Sequence, residues 1–343
     1  MTEEPAASPS RRSWFTPGRL AGAGALILVL VFVAAWIAPA DGYELQLVDP
    51  AHPVAPLVRI AGHPTKSDGT IYFVDVRERP ARLIERLVPW VRADGSSLVH
   101  SPPISSALEQ RLGAVEMSDS QKIAPYVALK LLGYKTTAQS GGVTVLALEP
   151  KAPAAKVLKP GDVIVDVDGT AVRTVAELRA QLAPKHPGDQ VDVRYMRGTE
   201  THEAKLHTIA DPTDPKHALV GVTASDNLDV KLPLKVAIDA GGIGGPSAGL
   251  AFALDILQEL GRNVTHGRRI AATGELALDG SVLPIGGVKQ KTLGVRRAGV
   301  DVFLVPAGDN AREARKYAGG IRIIPVESVR QALRALATIG PKA

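Results

Sequence analysis

Residues Gly241–Leu260 read GGIGGPSAGLAFALDILQEL, a glycine-rich loop that runs directly into an apolar helix. A phosphate-binding P-loop has the pattern G-x-x-x-x-G-K-[ST], and no such string occurs in the chain. Here Pro246 and Ser247 stand at the predicted helix start instead. The unpaired N–H groups of a helix start suit an anion, or the oxyanion of an acyl-transfer intermediate. The stretch alone is therefore compatible with a serine nucleophile, with an anion site and with a plain core helix.

A serine nucleophile needs a general base, and a histidine and two lysines are candidates. His266 lies in the polar segment RNVTHGRR, which is typical of a solvated loop. Lys289 and Lys291 begin a predicted helix. A lysine acts as a base when burial and a helix N-terminus lower its pKa from about 10.4 to about 7–8. The residues alone do not decide between the two lysines.

Composition excludes several other classes of function. The chain has 343 residues, enough for two or more domains. Its net charge of +5 is small and its aromatic content is 4%, which argues against a nucleic-acid-binding protein. It has no cysteine, so disulfides, thiolate metal sites and cysteine nucleophiles are excluded. Its histidines lack metal-ligand spacing, so neither a metal nor a cofactor is predicted.

An uncharged segment near the N-terminus predicts a membrane anchor. Leu20–Ala40 reads LAGAGALILVLVFVAAWIAPA, which as a helix would cover about 30 Å. Three arginines precede it and an aspartate follows it, so residues 1–19 are expected to form a cytoplasmic tail and the rest to lie outside the cell membrane. The alternative is a cleaved signal peptide, because Ala38–Ala40 resembles a cleavage site. Residues 41–130 follow, with two strands joined by the turn HPTKSDG and a helix over Ile104–Leu132.

Residues 131–209 resemble a PDZ domain of the kind associated with bacterial proteases. The matching segments are LLGY at Leu131–Tyr134, APAAKVLKPGDVIVDVDG at Ala152–Gly169, and the helix from Val175. The resemblance implies that a peptide joins the sheet as an added strand, with its terminal carboxylate on a backbone loop formed by Leu131, Leu132, Gly133 and Tyr134. Val175 would face the groove, with Leu178 and Leu182 in the core.

Residues 210–343 are similar to the proteolytic domain of Lon-type serine proteases. The matching segments are GGPSAGL, TGELALDGSVLPIGGVKQKTLGVRRAGV and FLVPAGDN, in that order. The resemblance implies that Ser247 is the nucleophile, that Lys291 is its partner in a Ser–Lys dyad, and that Thr273 orients the amine. The oxyanion would lie against a backbone loop of four residues, Gly245, Pro246, Ser247 and Ala248.

The chain departs from the Lon pattern at two points. Gly244 stands where an acidic residue commonly precedes the serine by three positions, and no ATPase motif is present. Lys289 is expected to be solvated, whereas Glu275 and Asp279 are expected to be structural. The fold class expected is α/β (α+β): a Lon-type proteolytic domain behind a β-rich PDZ domain and a single N-terminal transmembrane helix.

The function predicted from these resemblances is an ATP-independent, membrane-anchored serine endopeptidase. Its expected partners are unfolded or flexible protein substrates and the peptide C-termini that the PDZ domain would bind. Lon-type domains also tend to form rings, so a homo-oligomer is expected by analogy. The alternative is a catalytically inactive scaffold that captures peptides through its PDZ domain.

Overall fold

The computed structural model describes residues 17–63, 70–101, 104–211 and 214–339. Most of the predicted N-terminal tail, and residues 64–69 of the predicted turn, lie outside the described residues. The chain divides into two compact units. One comprises residues 1–47 and 77–103, and the other comprises residues 48–76 and 104–343.

The smaller unit contains helix α1 (Pro17–Ile37), a three-stranded sheet and the short helix α2 (Leu83–Leu87). The sheet has the order β5 (Val76–Arg82), β1 (Pro39–Val48), β6 (Ser97–His100). Its small core holds Ala40, Leu45 and Ala81. Across the described residues, no helix reaches the length and apolarity that a bilayer crossing requires. The predicted span Leu20–Ala40 gains no support from this finding.

The larger unit contains a five-stranded sheet whose order is β2 (His52–Pro53), β4 (Thr70–Phe73), β16 (Arg269–Ala272), β19 (Val302–Pro306), β20 (Arg322–Val326). The strands from β4 to β20 are parallel. All five residues of β19 are buried, as expected for a parallel strand covered on both faces. The helices of this region are α5 (Gly249–Glu259), α6 (Val288–Arg297), α7 (Asp309–Tyr317) and α8 (Val329–Ala337). Every residue of α5 is buried, so the helix that follows Ser247 is a core element.

A second sheet forms the PDZ region. Its order is β11 (Glu200–His207), β10 (Gln190–Arg197), β8 (Val163–Val167), β7 (Thr137–Leu148), β14 (Val222–Lys231), and β9 (Thr170–Ala171) pairs with β8. Helix α4 (Val175–Leu182) begins at Thr174, whose side chain accepts a hydrogen bond from the Glu177 N–H. Strand β14 pairs antiparallel with β7 from Val222 opposite Leu148 to Lys231 opposite Thr137. A strand from the predicted proteolytic segment therefore completes the PDZ sheet.

The described part of the larger unit also contains one long helix and three short strand pairs. Helix α3 (Ser106–Leu131) is capped by Ser105, close to the predicted helix over Ile104–Leu132. The pairs are β3 (Val58–Ile60) with β15 (Val236–Ile238), β12 (Ile209–Ala210) with β13 (Ala218–Leu219), and β17 (Glu275–Leu276) with β18 (Val282–Leu283). The two strands predicted around HPTKSDG do not pair with each other, because β3 joins β15 whereas β4 joins the parallel sheet.

Candidate active site

Ser247 lies between the glycine-rich loop and α5, and its backbone is held by the end of a neighbouring strand. The Ser247 carbonyl oxygen accepts hydrogen bonds from the Gly274 N–H at 2.8 Å and from Thr273 Oγ1 at 3.2 Å. Thr273 is completely buried. Gly245 has φ +88°, a backbone conformation that glycine adopts without strain. The loop therefore presents a half-buried serine on a fixed backbone.

Lys291 reaches Ser247 from helix α6. Its side chain is 5% exposed, and Nζ donates a hydrogen bond to Ser247 Oγ at 2.9 Å. Burial disfavours the charged ammonium form of a lysine and so favours the neutral amine that a general base requires. The structure thus brings together the two side chains that the sequence assigned to the dyad.

Helix α6 is seated against the segment around Asp49. A Cβ added to Gly294 would overlap the Asp49 carbonyl oxygen and would lie 3.2 Å from Val74 Cγ2. Gly287, which precedes the helix, has φ +67°, and a Cβ there would meet Val76. Gly294 therefore lets the helix that carries Lys291 pack directly against the Asp49 backbone, and Gly287 lets its start approach the Val76 side chain.

The predicted oxyanion loop needs a correction. The Gly245 N–H already donates to the Gly113 carbonyl oxygen of α3 at 2.8 Å, and Pro246 has no N–H. Of the four predicted residues, Ser247 and Ala248 are left as the backbone donors next to the nucleophile. The missing N–H of Pro246 is evident from its residue type, but the sequence could not indicate the Gly245 contact, because its acceptor Gly113 lies far away along the chain.

The loop at Leu131–Tyr134 does not offer the free N–H groups that were predicted to bind a peptide carboxylate. The N–H groups of Leu132, Gly133 and Tyr134 donate to carbonyl oxygens of residues 128–130 at 3.0–3.2 Å. Leu131 is the last residue of α3. These residues end the helix, and the unpaired carbonyls of the helix terminus use the donors that a peptide would need.

A different surface of the PDZ region forms a groove of about 680 Å³ between α4 and the segment that enters β14. Val175, Leu178 and Leu182 line it on the helix side, and residues 217–224 line it on the other. Leu178 and Leu182 also belong to the PDZ core, as predicted. Near the start of α4, the Val175 N–H donates to Asp226 Oδ1 at 2.7 Å, which ties the helix to β14. Val175 therefore does line a groove, although not one that includes Leu131–Tyr134.

Two family models match separate parts of the chain. Residues 130–208 match the family model of the PDZ domain, and residues 222–338 match that of the Lon protease (S16) C-terminal proteolytic domain. Residues 222–338 are therefore similar to a Lon-type proteolytic domain. That domain includes β14, so the strand shared with the PDZ sheet belongs to the Lon-type segment.

The relatives are similar to the chain over this region. Lon protease 1 of Myxococcus xanthus is 43% identical over 94 residues, which are 26% of this chain and 11% of that protein. Lon protease of Heliobacterium modesticaldum is 33% identical over 116 residues, which are 32% of this chain and 14% of that protein. The chain thus spans only a small part of the length of these relatives. The crystal structure of the PDZ domain of an SdrC-like protein from Listeria monocytogenes is 30% identical, with a TM-score of 0.23 over 24% of this chain and 87% of that chain.

The other candidates from the sequence make contacts of their own. Lys289 is half-buried, with Nζ 5.8 Å from the Tyr317 ring centroid. His266 sits in a turn where its N–H donates to Asn263 Oδ1. Asp279 is exposed and accepts a hydrogen bond from the Ser281 N–H, and this bond lowers the pKa of its carboxyl. Glu275 is half-buried, and burial raises the pKa of its carboxyl.

Among the described residues of the larger unit, one group of side chains could hold a metal ion. Asp49, His52 and Asp75 place ligand atoms within 4.8 Å of one another, and His52 Nε2 lies 2.9 Å from Asp49 Oδ2. Burial raises the pKa of the Asp75 carboxyl, and the nearby Asp49 carboxylate raises it further. Sequence spacing did not indicate this group, because Asp75 follows a different strand from the other two.

Proposed function

We propose that the protein is a serine endopeptidase that works through a Ser247–Lys291 dyad and needs no ATP. The observation that carries this proposal is the 2.9 Å contact between Lys291 Nζ and Ser247 Oγ at a site where the lysine is buried. The Lon-type family match supports the same reaction class.

The chemistry follows from that contact. Neutral Lys291 accepts the proton of the Ser247 hydroxyl as Oγ attacks the scissile carbonyl carbon. The N–H groups of Ser247 and Ala248 stabilise the oxyanion that forms. Lys291 then gives its proton to the leaving amine, the C–N bond breaks, and water later hydrolyses the acyl-enzyme with the same lysine as base.

The test compares three alanine variants on an unfolded fluorogenic protein substrate. Ser247→Ala and Lys291→Ala should each lower kcat/KM by about 10³-fold or more, because each removes one half of a unit that acts together. Lys289→Ala is the matched control: it lies on the same helix and should keep the parent rate. Parent activity in either dyad variant would refute the proposal, and added ATP should change none of the rates.

The PDZ region is proposed to capture peptide C-termini in the groove between α4 and β14. Strand β14 is the last strand in the sheet order, so its outer edge offers backbone groups to an added strand. Leu178 and Leu182 make the groove apolar, and Arg179 adds a positive charge on its helix side. A peptide with an apolar C-terminal residue should bind, and the same peptide with an amidated C-terminus should bind at least tenfold more weakly. Equal binding of both would contradict capture through the carboxylate.

Membrane anchoring is proposed on the sequence and on the surface of α1. Every residue from Leu26 to Val33 is apolar and 45–72% exposed, and a contiguous apolar surface of this kind is typical of contact with lipid or a partner. The proposed arrangement is a single-pass protein of the cell membrane, with its N-terminus in the cytoplasm and with the PDZ and proteolytic domains outside. Flotation with liposomes, followed by protease accessibility of tags at the two ends in cells, tests this. The proposed substrates are unfolded or flexible chains, and light scattering of the solubilised protein tests for the expected ring.

A further inference from the structure

Helix α3 contacts the loop that carries the nucleophile at two points. The Gly113 carbonyl accepts the Gly245 N–H at 2.8 Å, and Ser120 Oγ donates to the Pro246 carbonyl oxygen at 2.9 Å. Ser120 is 3% exposed. Gly113 and Ser120 are seven residues apart, which is two helical turns, so both lie on the same face of α3. No motif in the sequence pointed to either residue.

The contact at Pro246 fixes the direction of an N–H group. The Pro246 carbonyl and the Ser247 N–H belong to one planar peptide unit, which is trans here, so they point in opposite directions. Because the Ser120 hydroxyl binds the carbonyl, the Ser247 N–H is directed away from α3. The Gly249 N–H also donates to the same carbonyl, but at 3.2 Å.

The peptide unit after the nucleophile is held in a similar way from the opposite side. The Ser247 carbonyl accepts the Gly274 N–H and the Thr273 hydroxyl. With both flanking carbonyls occupied, the N–H groups of Ser247 and Ala248 have fixed orientations before a substrate arrives. Such preorganisation is what makes oxyanion donors effective.

We propose that Ser120 is a positioning residue for catalysis: its hydroxyl orients the peptide unit whose N–H stabilises the oxyanion at Ser247. This inference rests on the proposed peptidase function. Ser120 touches no reacting atom and acts through the backbone of Pro246 and Ser247. Its removal should weaken binding of the tetrahedral species much more than binding of the ground-state substrate.

The experiment uses the full chain with Ser120→Ala, and with Ser120→Cys, which fills similar space but donates only weakly. The substrate is a fluorogenic peptide, and a peptide boronate that bonds to Ser247 Oγ serves as a tetrahedral probe. Each Ser120 variant should lower kcat at least tenfold with KM within about twofold, since deletion of one oxyanion donor costs about 10²–10³-fold. Boronate affinity should fall in proportion to kcat. Ser118→Ala is the matched control on α3 and should behave like the parent.

Parent kcat in both Ser120 variants would overturn the inference, and so would a rise in KM with unchanged kcat. If Ser120→Ala fails to fold, Ser120→Cys decides between the two results. Failure of the peptidase proposal has a different signature, because Ser247→Ala would then keep the parent rate. Loss of activity in Ser247→Ala with full activity in both Ser120 variants would refute only the positioning role.

Discussion

Replacing Gly294 with alanine should separate the two side chains of the dyad. The added Cβ would overlap the Asp49 carbonyl oxygen, and the carbonyl carbon and Val74 Cγ2 each lie 3.2 Å from the Cβ position. Because non-bonded heavy atoms rest about 3.5–4.0 Å apart, α6 must move by roughly 1 Å. Lys291 lies one helical turn earlier, so its 2.9 Å contact with Ser247 would lengthen to about 4 Å, beyond hydrogen-bond distance. A misplacement of about 1 Å lowers rates by about 10²-fold.

The assay is kcat/KM on the fluorogenic substrate, with thermal melting as a second measurement. Helix propensity alone would make Gly294→Ala stabilising by about 1 kcal/mol, whereas overpacking makes it destabilising by about 1–3 kcal/mol. Helix propensity and overpacking therefore predict changes in stability, and in melting temperature, of opposite sign. Gly286→Ala is the matched control, because nothing lies within 4 Å of its added Cβ. A Gly294→Ala protein with the parent rate and a higher melting temperature would refute the packing described here.

Three further predictions concern single side chains. Thr273→Val removes one of two hydrogen bonds to the Ser247 carbonyl and should lower kcat about tenfold, while Thr273→Ser should keep it. Burial, with a smaller contribution from Glu259, raises the pKa of Asp255 from 3.8 to about 8. The folded state therefore favours the protonated acid, and stability should fall as pH rises from about 4 to about 8, by at most about 6 kcal/mol. Asp255→Asn should abolish that slope in urea unfolding. Gly221→Ala should destabilise the PDZ region by more than 1 kcal/mol, because φ is +73° and the Cβ would overlap Ala152.

Each of these has an outcome that contradicts it. Equal rates in Thr273→Val and Thr273→Ser would show that the hydroxyl does not matter. A pH slope that persists in Asp255→Asn would assign it to other carboxyls. Gly198→Ala shares a positive φ of +62° but meets nothing within 4 Å, so it measures the backbone penalty alone. A Gly221→Ala loss no larger than that of Gly198→Ala would argue against the overlap.

The dyad assignment came from the resemblance of two long motifs to Lon-type domains, because the residues alone did not decide between Lys289 and Lys291. Ser247 and Lys291 are 44 residues apart, and the structure places their side chains 2.9 Å from each other. Helix α5 was also predictable, since every residue from Gly249 to Leu257 except Asp255 is apolar. A local pattern of this kind predicts a buried helix, and in the structure the core surrounds α5 on all sides.

Contacts across long sequence distances were not predictable. The Ser120 hydroxyl meets the Pro246 carbonyl across 126 residues, and nothing in either segment indicates that they meet. The segment Leu131–Tyr134 illustrates the opposite error. Its local sequence fits a carboxylate-binding loop, but its N–H groups complete the C-terminus of a helix whose exact end the sequence did not show. The pairing of β14 with the PDZ sheet was not predictable either, because the tertiary fold sets which strands pair.

Because β14 completes the PDZ sheet, the folding of that sheet depends on the order in which the chain is synthesised. Residues 137–207 supply strands β7 to β11, but β7 lacks its outer neighbour until residues 222–231 have left the ribosome. An uncovered strand edge is a template for pairing with other chains. A nascent chain that pauses between these two segments therefore exposes the unpaired edge of β7 to other chains. A fragment that ends at residue 208 would expose that edge permanently.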